Sequence, residues 1–395
     1  MKVCPPKDLS DILSKKNRDT AYIEPDKKFS TLLVPVIGSS PSTGFSYGLA
    51  GQISISGETA TDRTSSISGN LTYTTKNQFM LLIKNNVFAM KNKVFFSGDW
   101  RLFLYSQPTY GLGTNAPGDE LKYIWDLNGH NTSEDSLVQP MRFDYIKIHQ
   151  TVSWDIQNNW FVGGGLHYDN YWNIKDQVLD TAAGRVTSHY TYNRFHNFNT
   201  EKYTVFGLSA NFVYDTRDNL INSYKGTFAN FNFRYNPTFL GNDKTSTITF
   251  LEFRSFHSLS KEVPRKVIGF WALANFISSG EVPYLLLPAL GYDQRGRAGR
   301  GYVQGRYRGE DLVYVETEYR FPISKCTGIL GGAVFANATT TSNRDLNVEL
   351  FDYLRAGYGM GLRIMADKKS RTNIQIDVAF GKNSGGFYFG ASETF

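Results

Sequence analysis

The sequence predicts an all-β fold, a sixteen-stranded antiparallel transmembrane β-barrel preceded by a short N-terminal periplasmic segment. Three observations predict it. The first is alternation of apolar and polar residues with period two, in segments of about ten residues or more along most of the chain. The second is composition: 24 Tyr, 29 Phe and 6 Trp make 15% of the 395 residues aromatic, and 36 Gly accompany them. With a mean hydropathy of only −0.35, this suits a sheet with one lipid face and one polar face. The third is spacing, because short connections alternate with longer ones. A soluble sandwich also alternates, but its strands are shorter than these. The longest apolar stretch, Val267 to Ile277, is about half of what a membrane helix needs, which excludes a helical membrane protein.

Residues 1–28 are polar and open MKVCPPKDLSD, without an apolar signal core, as if a signal peptide had been removed. Lys7 to Lys16 carry a helical pattern with Leu9, Ile12 and Leu13 on one face. This is either a periplasmic helix at the barrel mouth or a partly ordered tail. The barrel takes 29–395, with its first strands at 29–37, 44–56, 64–76, 78–90 and 93–106. After the long connection 107–140 come 141–155 and 159–172, then 173–200 as a second long connection. Strands at 202–216, 225–236, 245–257 and 266–278 follow. In the first of these Phe206, Leu208, Ala210 and Phe212 alternate with Gly207, Ser209 and Asn211. A Gly- and Arg-rich connection, 279–310, leads to 311–321 and 326–338; after 339–352 the chain closes with 353–365, 372–381 and 385–395. Ile374, Ile376, Val378 and Phe380 face one way in the penultimate strand, and Asn373, Gln375 and Asp377 the other. All four long connections follow odd-numbered strands, so they share one side. Outer-membrane barrels keep long loops outside and short turns in the periplasm, and an even strand count leaves no unpaired edge in lipid. The expected location is the outer membrane of a Gram-negative bacterium, with both termini periplasmic and with outer-membrane lipid and lipopolysaccharide as surroundings.

Net charge is +6, but the basic residues are spread over strands and one loop, so no nucleic-acid partner is expected. Six histidines show no metal spacing, and neither a metal nor another cofactor is expected. Gly44-Phe45-Ser46-Tyr47-Gly48 matches a nucleophile elbow, yet it opens a strand and no helix follows. His149 faces inward by parity and nothing links it to Ser46, so no catalytic residue and no enzyme is expected. Cys4 and Cys326 both fall on the periplasmic side. A disulfide between them, a lipid on Cys4, and two unrelated thiols all stay open.

The chemistry concentrates at 291–308, GYDQRGRAGRGYVQGRYR, where Arg295, Arg297, Arg300, Arg306 and Arg308 share a loop with one acid, Asp293. Such a loop repels itself unless it finds counter-charge. The following strand offers Glu316 and Glu318 on its inward parity. A loop folded into the lumen would pair Arg300 with Glu318 in two parallel hydrogen bonds, with Gly299 and Gly301 allowing the bend.

With YVETEYRFP at 314–322, this stretch resembles the BamA/TamA-like barrel superfamily, the bacterial surface antigen family, over most of 29–395. The resemblance implies a sixth extracellular loop, 279–310, folded into the lumen with Arg300-Gly301-Tyr302 as its locking motif. It also implies that Asp215, Arg217 and Asp218 form the family's Asp-x-Arg-Asp turn. The family's Phe-x-Asp-x-Gly motif reads Phe335-Ala336-Asn337-Ala338-Thr339 here, so the lock is expected to be weaker or to lean on Glu316. Twenty-eight residues are too few for a POTRA domain, so the chain reads as a family member without POTRA domains. The implied function is outer-membrane protein assembly or substrate translocation through a weak seam between first and last strands, where Gly385, Gly386 and Gly390 lie, with a separate periplasmic or outer-membrane partner. Two other readings stand beside it. One is a porin-like or plugged channel lined by Arg234, Glu252, Arg254, Arg355 and Arg363. The other is a structural subunit of a larger complex, or a homo-oligomer, touching its neighbours through Trp125, Trp172 and Tyr190.

Overall fold

The computed structural model describes residues 7–13, 29–40, 44–57, 63–116, 138–263, 265–324 and 326–395. Among these, sixteen strands form one antiparallel sheet in chain order. They are β1 (Phe29–Ser40), β2 (Gly44–Ile55), β3 (Ser65–Thr74), β4 (Phe79–Ala89), β5 (Val94–Thr109), β6 (Gln139–Asp155), β7 (Trp160–Asp176) and β8 (Tyr203–Asp215), then β9 (Gly226–Asn236), β10 (Ser246–Ser258), β11 (Val267–Gly280), β12 (Asp311–Pro322), β13 (Leu330–Thr341), β14 (Arg355–Asp367), β15 (Thr372–Gly381) and β16 (Ser384–Ala391). Two short helices are α1 (Leu9–Leu13) and α2 (Ser188–Phe195). Among the described residues no helix is long and apolar enough to cross a membrane.

The alternation works as the sequence predicts. Phe212, Phe231 and Leu251 lie side by side across β8, β9 and β10 and are exposed on the outer face. Their chain neighbours Asn211 and Glu252, with Arg254 further along β10, are buried inside. Apolar groups thus meet lipid while polar groups find one another in the lumen. Turns at the end that carries the N-terminal segment are tight. The β6–β7 turn sets Gln157, Asn158 and Asn159 at φ 87°, 54° and 67°, a conformation that asparagine tolerates well.

The lumen is filled rather than open. Phe88, Phe95, Phe161, Val213 and Phe228 form an apolar floor near the terminal end. At the opposite end Phe103, Tyr145, Tyr171 and Tyr203 pack against Tyr192 of α2 and Tyr284 of the β11–β12 loop. A third cluster joins that loop to β10–β12 through Trp271, Leu290, Tyr302 and Phe395.

Several boundaries differ from the sequence reading. β5, β7 and β11 run further, to Thr109, Asp176 and Gly280, because their ends are covered by loops that pair or pack with them. β13 begins at Leu330 rather than at 326. The largest difference is β16, which stops at Ala391 instead of 395. Ser392 takes φ 80° and the last residues turn into the lumen. There Phe395 stacks on Trp271 at 5.4 Å, and Glu393 accepts from Arg363 Nε at 2.7 Å. An aromatic side chain and a carboxylate with partners waiting inside explain why the strand leaves the wall.

No backbone ladder joins β1 to β16 among the described residues; β1 pairs with β2 alone and β16 with β15 alone. Side chains bridge the neighbourhood instead: Ser30 Oγ donates to Asp367, and Gln52 Nε2 donates to Thr372 Oγ1 at 3.1 Å. At the same end α1 rests on two turns. Lys7 N donates to Thr327 O at 3.0 Å, and Lys368 Nζ pairs with Asp11 at 2.7 Å. Cys326 is disulfide-bonded. Cys4, most of the tail and Trp125 lie outside the described residues.

Candidate functional site in the barrel lumen

The β11–β12 loop, 281–310, folds into the barrel, and its own chemistry shapes it first. The carboxylate of Asp293 accepts from the backbone N–H groups of Arg295 (3.0 Å), Arg297 (3.1 Å) and Ala298 (2.9 Å). The one acid of 291–308 is therefore an internal anchor, held by backbone N–H groups. Gly299 (φ 88°) and Gly301 (φ 102°) then flank Arg300. A side chain on Gly301 would meet Phe380 O at 2.7 Å, so close approach to β15 requires glycine there.

Arg300 is completely buried, with three carboxylates around it. Nη2 donates to Glu316 at 2.5 Å and to Glu318 at 2.6 Å, Nε to Glu316 at 3.3 Å, and Nη1 to Asp377 at 2.6 Å. Its Cζ sits 3.3 Å from the Phe335 ring centroid. A second rank of arginines backs the carboxylates. Arg320 Nε donates to Glu318 at 2.6 Å, and Arg363 Nη1 donates to Asp377 at 2.5 Å. Charges of opposite sign thus alternate through a buried region, an arrangement in which all three nitrogens of Arg300 are satisfied.

The expected fork from Arg300 to Glu318 is instead a fork to Glu316, with a single bond to Glu318. Two positions explain how the cluster closes without the aspartate that the motif on β13 would supply. Asn337 donates through Nδ2 to the backbone carbonyl of Arg300 at 3.0 Å, a bond that an ionised carboxylate cannot make. The missing negative charge stands on β15, as Asp377. Sequence reasoning placed Asp377 on the inward parity but did not connect it with the loop. Its facing residue, Gly361, was the available signal, since that pairing leaves room for Arg363 over the sheet.

Tyr302 completes the motif. Its hydroxyl donates to Ala356 O at 2.6 Å and accepts from Lys382 N at 3.1 Å, while a side chain on Gly381 would meet its ring at 2.5 Å. Gly301 N donates to the Tyr388 hydroxyl at 2.9 Å, which ties the loop to β16. Sequence reasoning had not singled out Tyr388 or Gly381.

Asp215, Arg217 and Asp218 lie elsewhere, in the β8–β9 turn at the terminal end. Arg217 Nη2 and Nε donate to its neighbour Asp215 at 2.8 and 3.0 Å, and the guanidinium lies 4.3 Å from the Phe228 ring. Asp218 caps the N–H of Tyr224 at 2.9 Å and accepts from Arg371 of the β14–β15 turn at 2.6 Å. This group links two turns and does not touch the loop motif. Ser46 on β2 and His149 on β6 are not brought together, since His149 hydrogen-bonds Asp169 at 2.9 Å. Among the described residues no cluster of side chains suits a metal ion. Of the supposed channel lining, Arg234, Glu252, Arg254 and Arg363 are buried inside, and Arg355 is half-buried at the loop end.

The fold resembles two solved barrels. BamA from Haemophilus ducreyi, in a crystal structure lacking POTRA domains 1–3, aligns with a TM-score of 0.55 at 15% identity, over 92% of this chain and 70% of that one. CdiB from Acinetobacter baumannii aligns with a TM-score of 0.52 at 12% identity, over 92% of this chain and 60% of that one, so this chain spans less than two thirds of CdiB. No curated protein matches the sequence. The Omp85 superfamily domain matches residues 146–395, which holds the inward loop, its arginine and the strands that receive it, and the chain therefore belongs to the Omp85 superfamily.

Proposed function

We propose that this barrel takes part in outer-membrane protein assembly or in passage of a protein substrate across the outer membrane, together with a periplasmic or outer-membrane protein partner. Omp85 barrels such as BamA and CdiB act in outer-membrane protein assembly or secretion and reside in a Gram-negative outer membrane. In this reading both termini face the periplasm, and the long loops with α2 face outside. The observation that carries it is the β1–β16 seam, which among the described residues has no backbone ladder while every other neighbouring pair does. Unpaired N–H and C=O groups at such an edge can pair with an incoming strand. The Arg300 cluster would serve as the lock that holds the loop inside, and Gly301 with Tyr388 would couple that lock to the last strand.

The test is mild-detergent co-purification from native outer membranes with mass spectrometry. A periplasmic delivery protein or incompletely folded barrels in the eluate is the expected result. Recovery of the barrel alone, or only with itself, together with frequent large conductance steps in a planar bilayer, would transfer the case to a channel. The filled lumen supports small, rare openings.

A further inference from the structure

Between the inward loop and the wall from β5 to β11 lies a cavity of about 230 Å³. The carboxylates along it are satisfied. Asp99 accepts two bonds from Arg101 at 2.8 Å each, and Asp169 accepts from Arg234 Nη1 at 2.7 Å and from His149 at 2.9 Å. Glu252 accepts from Trp271 at 2.8 Å and from Arg254, and Asp293 is held by the backbone N–H groups of its own loop.

The donors are not used up. Arg234 is 4% exposed; Nε goes to Asn236 at 2.6 Å and Nη1 to Asp169, while Nη2 has no partner. His167 is 6% exposed; Nε2 meets Ser209 at 2.8 Å and Nδ1 has no partner. Lys147 stands opposite Asp169 in register and forms an ion pair with Asp99, Nζ to Oδ2 3.5 Å, which leaves room for a second anionic partner. Across the cavity Asn275 Oδ1 is an acceptor without a partner. Gly207, in register with His167, leaves the room in which the Arg234 side chain lies. Buried polar atoms are nearly always paired, and here three unpaired ones and an ammonium line one cavity.

The geometry points to a binding site for a small oxyanion that also carries a hydroxyl, either a hydrogen phosphate or a hydroxy-carboxylate. Arg234 Nη2 and Lys147 take the anionic oxygens, joined by His167 in the tautomer that carries its proton on Nδ1, and Asn275 accepts from the O–H. A bound anion touches both the wall and residues 285–294 of the loop, so occupancy favours the loop-in state. This inference stands on the lumen alone and does not depend on the assembly reading.

The experiment is titration of the purified barrel in detergent with inorganic phosphate and with lactate, followed by calorimetry and by the ³¹P or ¹³C line width of the probe. Saturable binding of at least one probe, with one site per barrel, is expected, weakened roughly tenfold or more in Arg234→Gln. Binding of phosphate alone assigns the phosphate class, binding of lactate alone the carboxylate class, and mutual competition a site open to both. If Arg234→Gln loses the heat-modifiable mobility of a folded barrel, Lys147→Met decides in its place, with weakening of a few-fold or more as the supporting result. No saturable binding up to concentrations on the order of 10 mM, or binding that the folded variants leave unchanged, overturns the proposal.

Discussion

Arg300 and Arg234 are both buried arginines inside one barrel, and their surroundings differ in kind. Arg300 meets three carboxylates and an aromatic face, and each of its own three nitrogens is hydrogen-bonded to a carboxylate. Arg234 meets one carboxylate, shared with His149, and keeps Nη2 unpartnered beside a cavity. The Arg300 guanidinium is complete in itself and suits a fastening. The Arg234 guanidinium is incomplete without a further acceptor and suits a receptor. The difference teaches that a buried charge is read by what it leaves unsatisfied, since a closed network resists change while an open one invites a ligand.

The comparison breaks most readily at Arg300. Arg300→Met leaves Glu316 without an arginine and takes one of the arginines from Glu318 and from Asp377, and should cost about 3–5 kcal/mol in urea unfolding of the detergent-solubilised barrel, with new protease cleavage inside 281–310. Arg234→Met leaves Asp169 its bond to His149 and should cost distinctly less. Equal losses would show that the two regions do not differ as described.

Asn337→Asp comes next. It removes the donor to Arg300 O and sets a fourth carboxylate in the cluster, beside Glu316, whose Oε2 lies 3.5 Å from Nδ2, so a loss of about 1–3 kcal/mol is expected. Adding Asp377→Asn should return part of that loss, because the charge is then moved and not multiplied. A double variant that is merely the sum of two losses would argue against a charge relocated from β13 to β15. Gly301→Ala strains a residue at φ 102° and crowds Phe380 O, and should cost on the order of 1–3 kcal/mol in the same unfolding assay. No measurable change would mean that the loop approaches β15 less closely than the geometry has it.

The smallest effect lies outside the membrane span, at the end of α2. Burial pushes the His196 imidazole down, but hydrogen bonds to Asp345 (2.9 Å) and Glu281 (3.0 Å) outweigh it and raise the group above its ordinary 6.5. A raised folded value means that the stabilisation is fully present below the ordinary value and is lost as pH rises through the raised one. Cleavage of 177–202 by a protease should therefore quicken between about pH 6 and pH 9, by about fivefold at most, and His196→Gln should flatten the dependence. A variant with the same pH profile would locate the titrating group elsewhere.

Much of this was legible beforehand. Parity sorted Phe212 from Asn211 and Ile376 from Asp377, and the lone acid in the basic loop pointed inward, toward Glu316 and Glu318. The connection of Arg300 to Asp377 was not legible. Seventy-seven residues separate them, and only curvature of the sheet brings β15 against the loop. Asn337 read as a weakness because the side chain was judged by its lost charge, while its retained N–H supplies a bond to backbone. The end of β16 was misjudged because Phe387 and Phe389 continue the alternation, and nothing local signals that Glu393 and Phe395 have partners inside.

The sequence by itself determined the strand periodicity, the even count, the side on which long loops fall and the need of a basic loop for buried counter-charge. These depend on neighbours one or two residues apart, and local chemistry reports them. The tertiary structure alone decided which carboxylates meet Arg300, which donors stay free beside Arg234, and that β1 and β16 lack a ladder. Those outcomes depend on curvature and closure of the sheet, which sets groups from distant strands at hydrogen-bond distance, and such spacing is a property of the whole barrel and not of any segment.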